Sequence, residues 1–301
     1  MNYTKASRSQ KDKCQASLGS YNEYMEKIPI IRLNSGNEMP AFGFGTWQLA
    51  EGNEALDAVT EAIRLGYRLI DTARIYGNER SVGEAIKKSA VPREEIFVTT
   101  KLWPNDFGYD NALRAFDESL ERLGLEYIDL YLIHWPRDDK ERRRESWRAL
   151  GEIYKQRRAK SIGVSNYSIE HLEEVLGSDE PPVVNQIEFN PYIYDKQAPL
   201  LDFCRRQKIV VEAYSPLARG RRLDNQIISQ IAQKIGKTNA QVLLRWAIQH
   251  GTVPIPKSAH SSRIKENLAI FDFELSSGDM KAINSLGRGK SSLPFVVSLL
   301  K

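Results

Sequence analysis

A (β/α)8 barrel, that is, a TIM barrel of the α/β class with an N-terminal β-hairpin, is the fold this sequence predicts, and three features predict it. Eight short apolar or β-branched runs follow one another after about residue 28. Amphipathic stretches with a helical period separate them, and no Pro/Gly-rich linker divides the chain. Parallel neighbours need helical crossovers, so eight such units close most naturally into a barrel. A doubly wound sheet is the structural alternative; eight units fit 301 residues without leftover strands, which favours closure.

The first element is the run 30–33, which with Ser35-Gly36-Asn37-Glu38 and then Met39-Pro40 reads as a hairpin placed to plug the barrel bottom. The eight strand-like runs are 41–45, 68–70, 96–100, 128–133, 161–164, 183–187, 209–213 and 253–255. Between them, Leu113, Phe116, Leu120 and Leu123 fall at i, i+3, i+7 and i+10, and Ile228, Ile231 and Ile235 repeat the pattern. Leu56, Val59 and Ile63 make a shorter stripe, as do Ile169, Leu172 and Leu176; each stripe packs a helix against the sheet. A further helix is expected over 263–270. Residues 1–27 read as a disordered tail rather than a transit peptide, since they hold one arginine and an early Asp12. Residues 28–301 read as one barrel domain.

With 41% hydrophobic and 27% charged residues, the chain can bury a large core. A disulfide scaffold, a collagen-like fibre and a wholly disordered chain are excluded. No window approaches the ~18 apolar residues of a membrane helix, and the mean hydropathy is −0.47, so no membrane partner is expected. Half of the formal +4 charge lies in residues 1–27, where five basic residues face three acidic ones. The remainder carries too little excess for a nucleic-acid partner. Cys14 and Cys204 cannot form a C-x-x-C pair and no apolar signal segment precedes them, which points to a reducing, cytoplasmic home. The run 140–145, Lys-Glu-Arg-Arg-Arg-Glu, reads as a solvated helix face.

In such a barrel the chemistry sits at the C-terminal strand ends. Those ends hold Thr46-Trp47, Asp71-Thr72-Ala73, Lys101-Leu102-Trp103, His134-Trp135, Ser165-Asn166, Asn185-Gln186, Tyr214-Ser215 and Lys257-Ser258, with Tyr76 on the second βα loop. Of the four histidines, His134, His171, His250 and His260, only His134 occupies a strand end, so no metal cluster forms, and a G-x-S-x-G elbow is missing. The remaining constellation, one Asp, one Tyr, one Lys and one His, suits proton donation. A Lys ammonium beside a Tyr favours tyrosinate and lowers a pKa that is ordinarily near ~10. Asp71 would keep the lysine charged, and His134 would orient a carbonyl oxygen or relay a proton. Taken singly, Asp71 reads as a cap, Tyr76 as a half-exposed aromatic and Lys101 as a surface lysine.

Together these residues resemble the aldo-keto reductase family. Asp71-Thr72-Ala73-Arg74-Ile75-Tyr76-Gly77-Asn78-Glu79 is similar to its D-T-A-x-x-Y-x-N-E signature. Leu132-Ile133-His134-Trp135-Pro136, Gly163-Val164-Ser165-Asn166, Asn185-Gln186-Ile187-Glu188 and Ile255-Pro256-Lys257-Ser258 resemble further family motifs in family order, and the likeness covers roughly residues 28–287. The resemblance implies a catalytic tetrad of Asp71, Tyr76, Lys101 and His134, with Tyr76 as general acid in carbonyl reduction. It also implies NADPH, bound extended across the barrel mouth without a Rossmann motif; Gly43-Phe44-Gly45 lacks the third glycine of that motif. Ser165, Asn166 and Gln186 match the positions that hold the carboxamide, Tyr214 the ring that stacks on nicotinamide, and Thr46 and Trp47 the first-strand contacts.

The loop from Ser215 through Leu217 to Arg222 is expected over the pyrophosphate. Lys257, Ser258 and Arg263 match the 2'-phosphate site, where a lysine, a guanidinium and a helix N-terminus would converge; Glu266 and Asn267 match the adenine site. Trp47, Trp103 and Trp135, with His134, would wall a pocket for aldehydes or small ketones. The segment 291–301 departs from the family's polar closing loop. The expected protein is a monomeric reductase of a small carbonyl substrate; a nicotinamide-sensing regulatory subunit is the alternative.

Overall fold

The computed structural model describes residues 28–288. An antiparallel hairpin, β1 (Ile30–Arg32) and β2 (Glu38–Pro40), sets Ile31 opposite Met39. Eight parallel strands follow and pair in sequence order: β3 (Phe44–Gly45), β4 (Leu69–Asp71), β5 (Phe97–Leu102), β6 (Leu130–Ile133), β7 (Ile162–Ser165), β8 (Val184–Glu188), β9 (Val210–Tyr214) and β10 (Thr252–Pro254).

The sheet closes on itself. The Gly43 N–H donates to the Pro254 carbonyl at 3.0 Å and the Gly45 N–H to that of Pro256 at 3.1 Å. A Cβ on Gly45 would lie 2.7 Å from the Ile255 carbonyl oxygen, and one on Gly43 2.1 Å from the Leu69 side chain, so this seam admits only glycine. The predicted (β/α)8 barrel with its hairpin is the fold observed.

Helices α1 (Asn53–Arg64), α2 (Glu79–Lys88), α3 (Tyr109–Leu123), α4 (Lys140–Lys155), α5 (Ile169–Leu176) and α6 (Tyr194–Arg206) follow β3 to β8 in turn. Strand β9 leads to α7 (Gln226–Ile235) and α8 (Asn239–Gln249), and β10 to α9 (Ser261–Leu268) and α10 (Ser277–Asn284). The predicted stripes turn inward: Val59, Ile63, Phe116, Leu123, Leu172 and Ile228 are buried in the layer between helices and sheet. Local signals set the ends. Gly124 closes α3 in the left-handed region, and Thr238 and Gln241 form a capping box at α8.

Several boundaries differ from expectation: β3 keeps only Phe44–Gly45 of the run 41–45, β5 extends to Leu102 and β6 begins at Leu130. The helix expected over 263–270 starts at Ser261, because His260 is the extended N-cap residue, and stops at Leu268, because Ala269 leaves helical geometry. The charged run 140–145 is not solvated throughout. Arg143 falls on the face of α4 that carries Ser146, Trp147 and Leu150, is buried, and pairs with Glu174 of α5 at 2.7 Å.

Leu33 and Met39 of the hairpin join Leu69, Phe97, Leu130 and Val253 in a separate apolar cluster at the barrel bottom. The hairpin is therefore a plug, and burying Met39 fully contributes about 1.5–3 kcal/mol. Among the described residues no helix is long and apolar enough to cross a membrane. The tail expected over 1–27, with Cys14, and the segment 291–301 lie outside the described residues.

Candidate active site

Asp71 ends β4 opposite Thr99 of β5, and Lys101 lies two residues further along β5, hence on the same face. The fully buried Lys101 Nζ donates to both Asp71 oxygens at 2.7 Å and to the Thr72 carbonyl at 2.8 Å. A charge so deeply buried persists only with partners of this kind.

After β4 the chain makes one 3-10 turn, Arg74–Tyr76, closed by Gly77 at φ 70°. That turn brings the Tyr76 hydroxyl to 3.3 Å from Lys101 Nζ. The next two residues of the signature brace the loop. Asn78 donates to the Thr46 and Leu49 carbonyls at 2.9 and 3.0 Å and accepts from Thr72 at 2.8 Å; Glu79 accepts from Thr100 at 2.6 Å and pairs with Arg122 at 2.6 Å.

Electrostatics at Tyr76 run against the sequence reading. Burial, then the carboxylate of Asp71, push its hydroxyl well above the usual tyrosine range, so Tyr76 stands protonated. The His134 ring lies 5.6 Å from that of Tyr76 and 5.3 Å from that of Trp103. Burial, then the positive charge of Lys101, hold its pKa well below the ordinary value, so the imidazole is neutral and donates through a single N–H.

Opposite this group, Asn166 donates to the His134 carbonyl at 3.0 Å and to Ser165 Oγ at 2.9 Å, and accepts from the Tyr214 hydroxyl at 2.8 Å. Gln186 Nε2 donates both to Asp71 Oδ2 at 2.8 Å and to Glu212 Oε2 at 2.6 Å. Glu212 was not anticipated. A single carboxylate inside the apolar run 209–213 is its only trace in the sequence.

All of this faces a cleft of about 690 Å³ at the C-terminal strand ends. Asp71, Tyr76, His134, Trp47, Trp103 and Trp135 line it. So do Asn166, Gln186, Tyr214, Ser215 and Leu217, and Lys257, Ser258, Arg263, Glu266 and Asn267. Thr46, Ser165 and Lys101 are fully buried and do not line it; Thr46 Oγ1 is spent on the Asp71 carbonyl at 3.0 Å. Lining residues outside the sequence reading include Ile75, an exposed apolar side chain at the rim. Arg219 also lines the cleft, its guanidinium 4.6 Å from the Trp47 ring centroid.

Part of this lining carries positive charge. Lys257 and Arg263 are exposed and form no ion pair among the described residues, and α9 begins beside them without a side-chain cap. Uncapped N–H groups and two cations without an ion pair are groups that could hold an anion.

The family model of the Aldo/keto reductase family matches residues 41–288. A glyoxal reductase of Bacillus subtilis is 52% identical over 259 residues, covering 86% of this chain and 92% of the relative. A solved aldo/keto reductase from Brucella melitensis superposes with a TM-score of 0.83 at 48% identity, over 86% of this chain and 98% of the other. An aldo-keto reductase solved in complex with NADPH superposes with a TM-score of 0.83 at 38% identity, over 88% and 90% of the two chains.

Proposed function

The chain belongs to the aldo/keto reductase family, and on that premise we propose that it is an NADPH-dependent enzyme that reduces aldehydes or small ketones to alcohols. The observation that carries the reading is that the Tyr76 hydroxyl, 3.3 Å from Lys101 Nζ, lines the same cleft as the exposed cations Lys257 and Arg263.

The residues present fit the dinucleotide. The cleft lining includes the amides of Asn166 and Gln186 and the ring of Tyr214, and Lys257, Ser258 and Arg263 with the start of α9 suit a 2'-phosphate. Glu266 and Asn267, which line the same cleft, would hold the adenine, and Ser215 and Leu217 the pyrophosphate stretch. NADPH, when bound, supplies the hydride that the protein itself lacks.

In this reading Tyr76 gives its proton from Oη to the developing alkoxide. The Lys101 ammonium, held by Asp71, stabilises the tyrosinate that remains, a charge that appears only as the reaction proceeds. Neutral His134 donates a hydrogen bond that orients the carbonyl oxygen. Trp47, Trp103 and Trp135 exclude water and select apolar, compact substrates. Thr46 and Ser165, being buried, act as supports behind the wall. The same reading places the protein in the cytoplasm as a monomer, consistent with its sparse cysteines.

The test is NADPH oxidation with a panel of aldehydes that includes glyoxal, since one relative carries that name. Tyr76→Phe should lose about 10²–10⁴-fold in turnover, the usual worth of a general acid, with NADPH affinity nearly intact. Undiminished reduction by the variant overturns the assignment. Wild-type protein that binds NADPH and reduces none of the panel would favour the regulatory-subunit alternative.

A further inference from the structure

Glu212 has no task in the chemistry above. It stands on β9 directly opposite Gln186 of β8 in the sheet register, and it is fully buried. Strand β4 lies across the bore from β8 in the strand order, so the Asp71–Gln186 bond spans the barrel. A polar chain therefore runs Lys101–Asp71–Gln186–Glu212 from wall to wall.

The chain has a fixed sense. Ionised Asp71 can receive only an N–H, which turns Gln186 Nε2 toward it, and the second N–H of Nε2 goes to Glu212 Oε2, so the amide oxygen is turned away from both. Gln186 lines the cleft, so that oxygen is left for the cleft. The chain also has one proton to place. Two carboxylates share the bore with one ammonium, and Lys101 spends its charge on both oxygens of Asp71. Glu212 receives only the neutral amide, and its Oε1 is buried without a hydrogen-bond partner. An ionised carboxylate so placed is costly, whereas a carboxylic acid is tolerated.

We propose that Glu212 is a positioning residue that stands protonated in the bore and fixes Gln186 so that its amide carbonyl faces the cleft as an acceptor for the cofactor carboxamide. The inference rests on the NADPH reading. Burial, reinforced by the negative charge of Asp71, pushes the Glu212 carboxyl up to about 8. The charged and titratable groups facing it are Asp71 of β4, Lys101 of β5 and Tyr76 of the loop after β4. A neutral Glu212 leaves no extra negative charge under a ring that becomes positive on oxidation. Ionised Glu212 would favour NADP+ over NADPH.

Infrared spectroscopy of the wild type and Glu212→Gln tests the proton, and fluorescence titration with NADPH and NADP+ tests the positioning. Expected is a protonated carboxylic-acid band at pH 6 that fades as the pH passes about 8 and is absent in Glu212→Gln. The wild-type preference between NADP+ and NADPH should shift severalfold toward NADP+ over the same range, with no such shift in Glu212→Gln. Glu212→Leu should weaken NADPH severalfold, and Glu212→Gln, which keeps an acceptor for Gln186, should restore it. A band that persists in Glu212→Gln, or a cofactor preference in that variant that follows the wild-type pH profile, overturns the proposal. Wild type that shows the band but binds no NADPH at any pH removes the cofactor reading, and with it the positioning role.

Discussion

Lys101→Met isolates the most concentrated electrostatics in the molecule. The substitution keeps a long apolar side chain in the bore but removes the ammonium that bonds both Asp71 oxygens at 2.7 Å. Asp71, 2% exposed, then keeps only the Gln186 amide as a side-chain partner. Leaving a buried charge unpaired costs about 3–5 kcal/mol. Protonation caps that loss: neutralising a carboxyl of ordinary pKa ~3.9 at pH 7 costs about 4 kcal/mol. The two routes agree, so urea unfolding at pH 7 should register a loss of about 3–4 kcal/mol.

The pH dependence gives the sign. A carboxyl protonated in the folded variant has a raised pKa, so its contribution is fully present below the unfolded pKa and is lost as pH rises. The deficit relative to wild type should therefore shrink by about 1.4 kcal/mol per unit as the pH is lowered from 7 toward 5. Lys101→Met/Asp71→Asn, which removes the charge that needs neutralising, should recover about half the loss or more and abolish that slope. A single-variant loss below about 1 kcal/mol, or a double variant that loses the sum of the two singles, refutes the coupled pair.

Arg263→Ala should weaken NADPH about 10–100-fold, the worth of a hydrogen bond to a charged group, while NADH changes little; equal losses in a fluorescence titration would remove the 2'-phosphate contact. Gly45→Ala, whose Cβ would meet the Ile255 carbonyl oxygen at 2.7 Å, should lower stability by about 1–3 kcal/mol; an unchanged urea midpoint would show that the seam can give way. Because burial and Lys101 hold His134 neutral, kcat/KM should have no inflection between about pH 6 and 7; an inflection there that vanishes in His134→Gln would assign an imidazolium to this position.

Much of the fold was legible because barrel strands and helices announce themselves by period. The stripe through Phe116 and Leu123 is buried as written, and Asp71, Tyr76, Lys101 and His134 converge from strand ends and the loop between β4 and α2. What sequence spacing could not convey was depth. Thr46 and Ser165 share strand ends with lining residues yet sit behind the wall, because their hydroxyls are drawn into backbone and amide contacts. Arg143 hid in a run of charges, and only its helical phase relative to Trp147 and Leu150 separates it from its exposed neighbours. The direction at Tyr76 was misjudged for the same reason. Lys101 was counted, but the desolvation of the ring and the charge of Asp71 act the other way. A lone Glu between Val211 and Ala213 reads as strand interior from sequence, and only the register with Gln186 gives it a partner.

The glycine seam also bears on how the chain assembles. Its hydrogen bonds join Gly43 and Gly45 to carbonyls from the far end of the barrel sequence, and β3 spans only Phe44–Gly45. So short a strand gains little from local pairing, and contacts of such long sequence separation form slowly because loop closure must be met first. Closure of the native sheet therefore requires β10, the last strand to be synthesised, and a sheet lacking it would have two unpaired edges. Unpaired edges of that kind are templates for pairing with another chain, so the two glycines that let the seam close also remove that hazard.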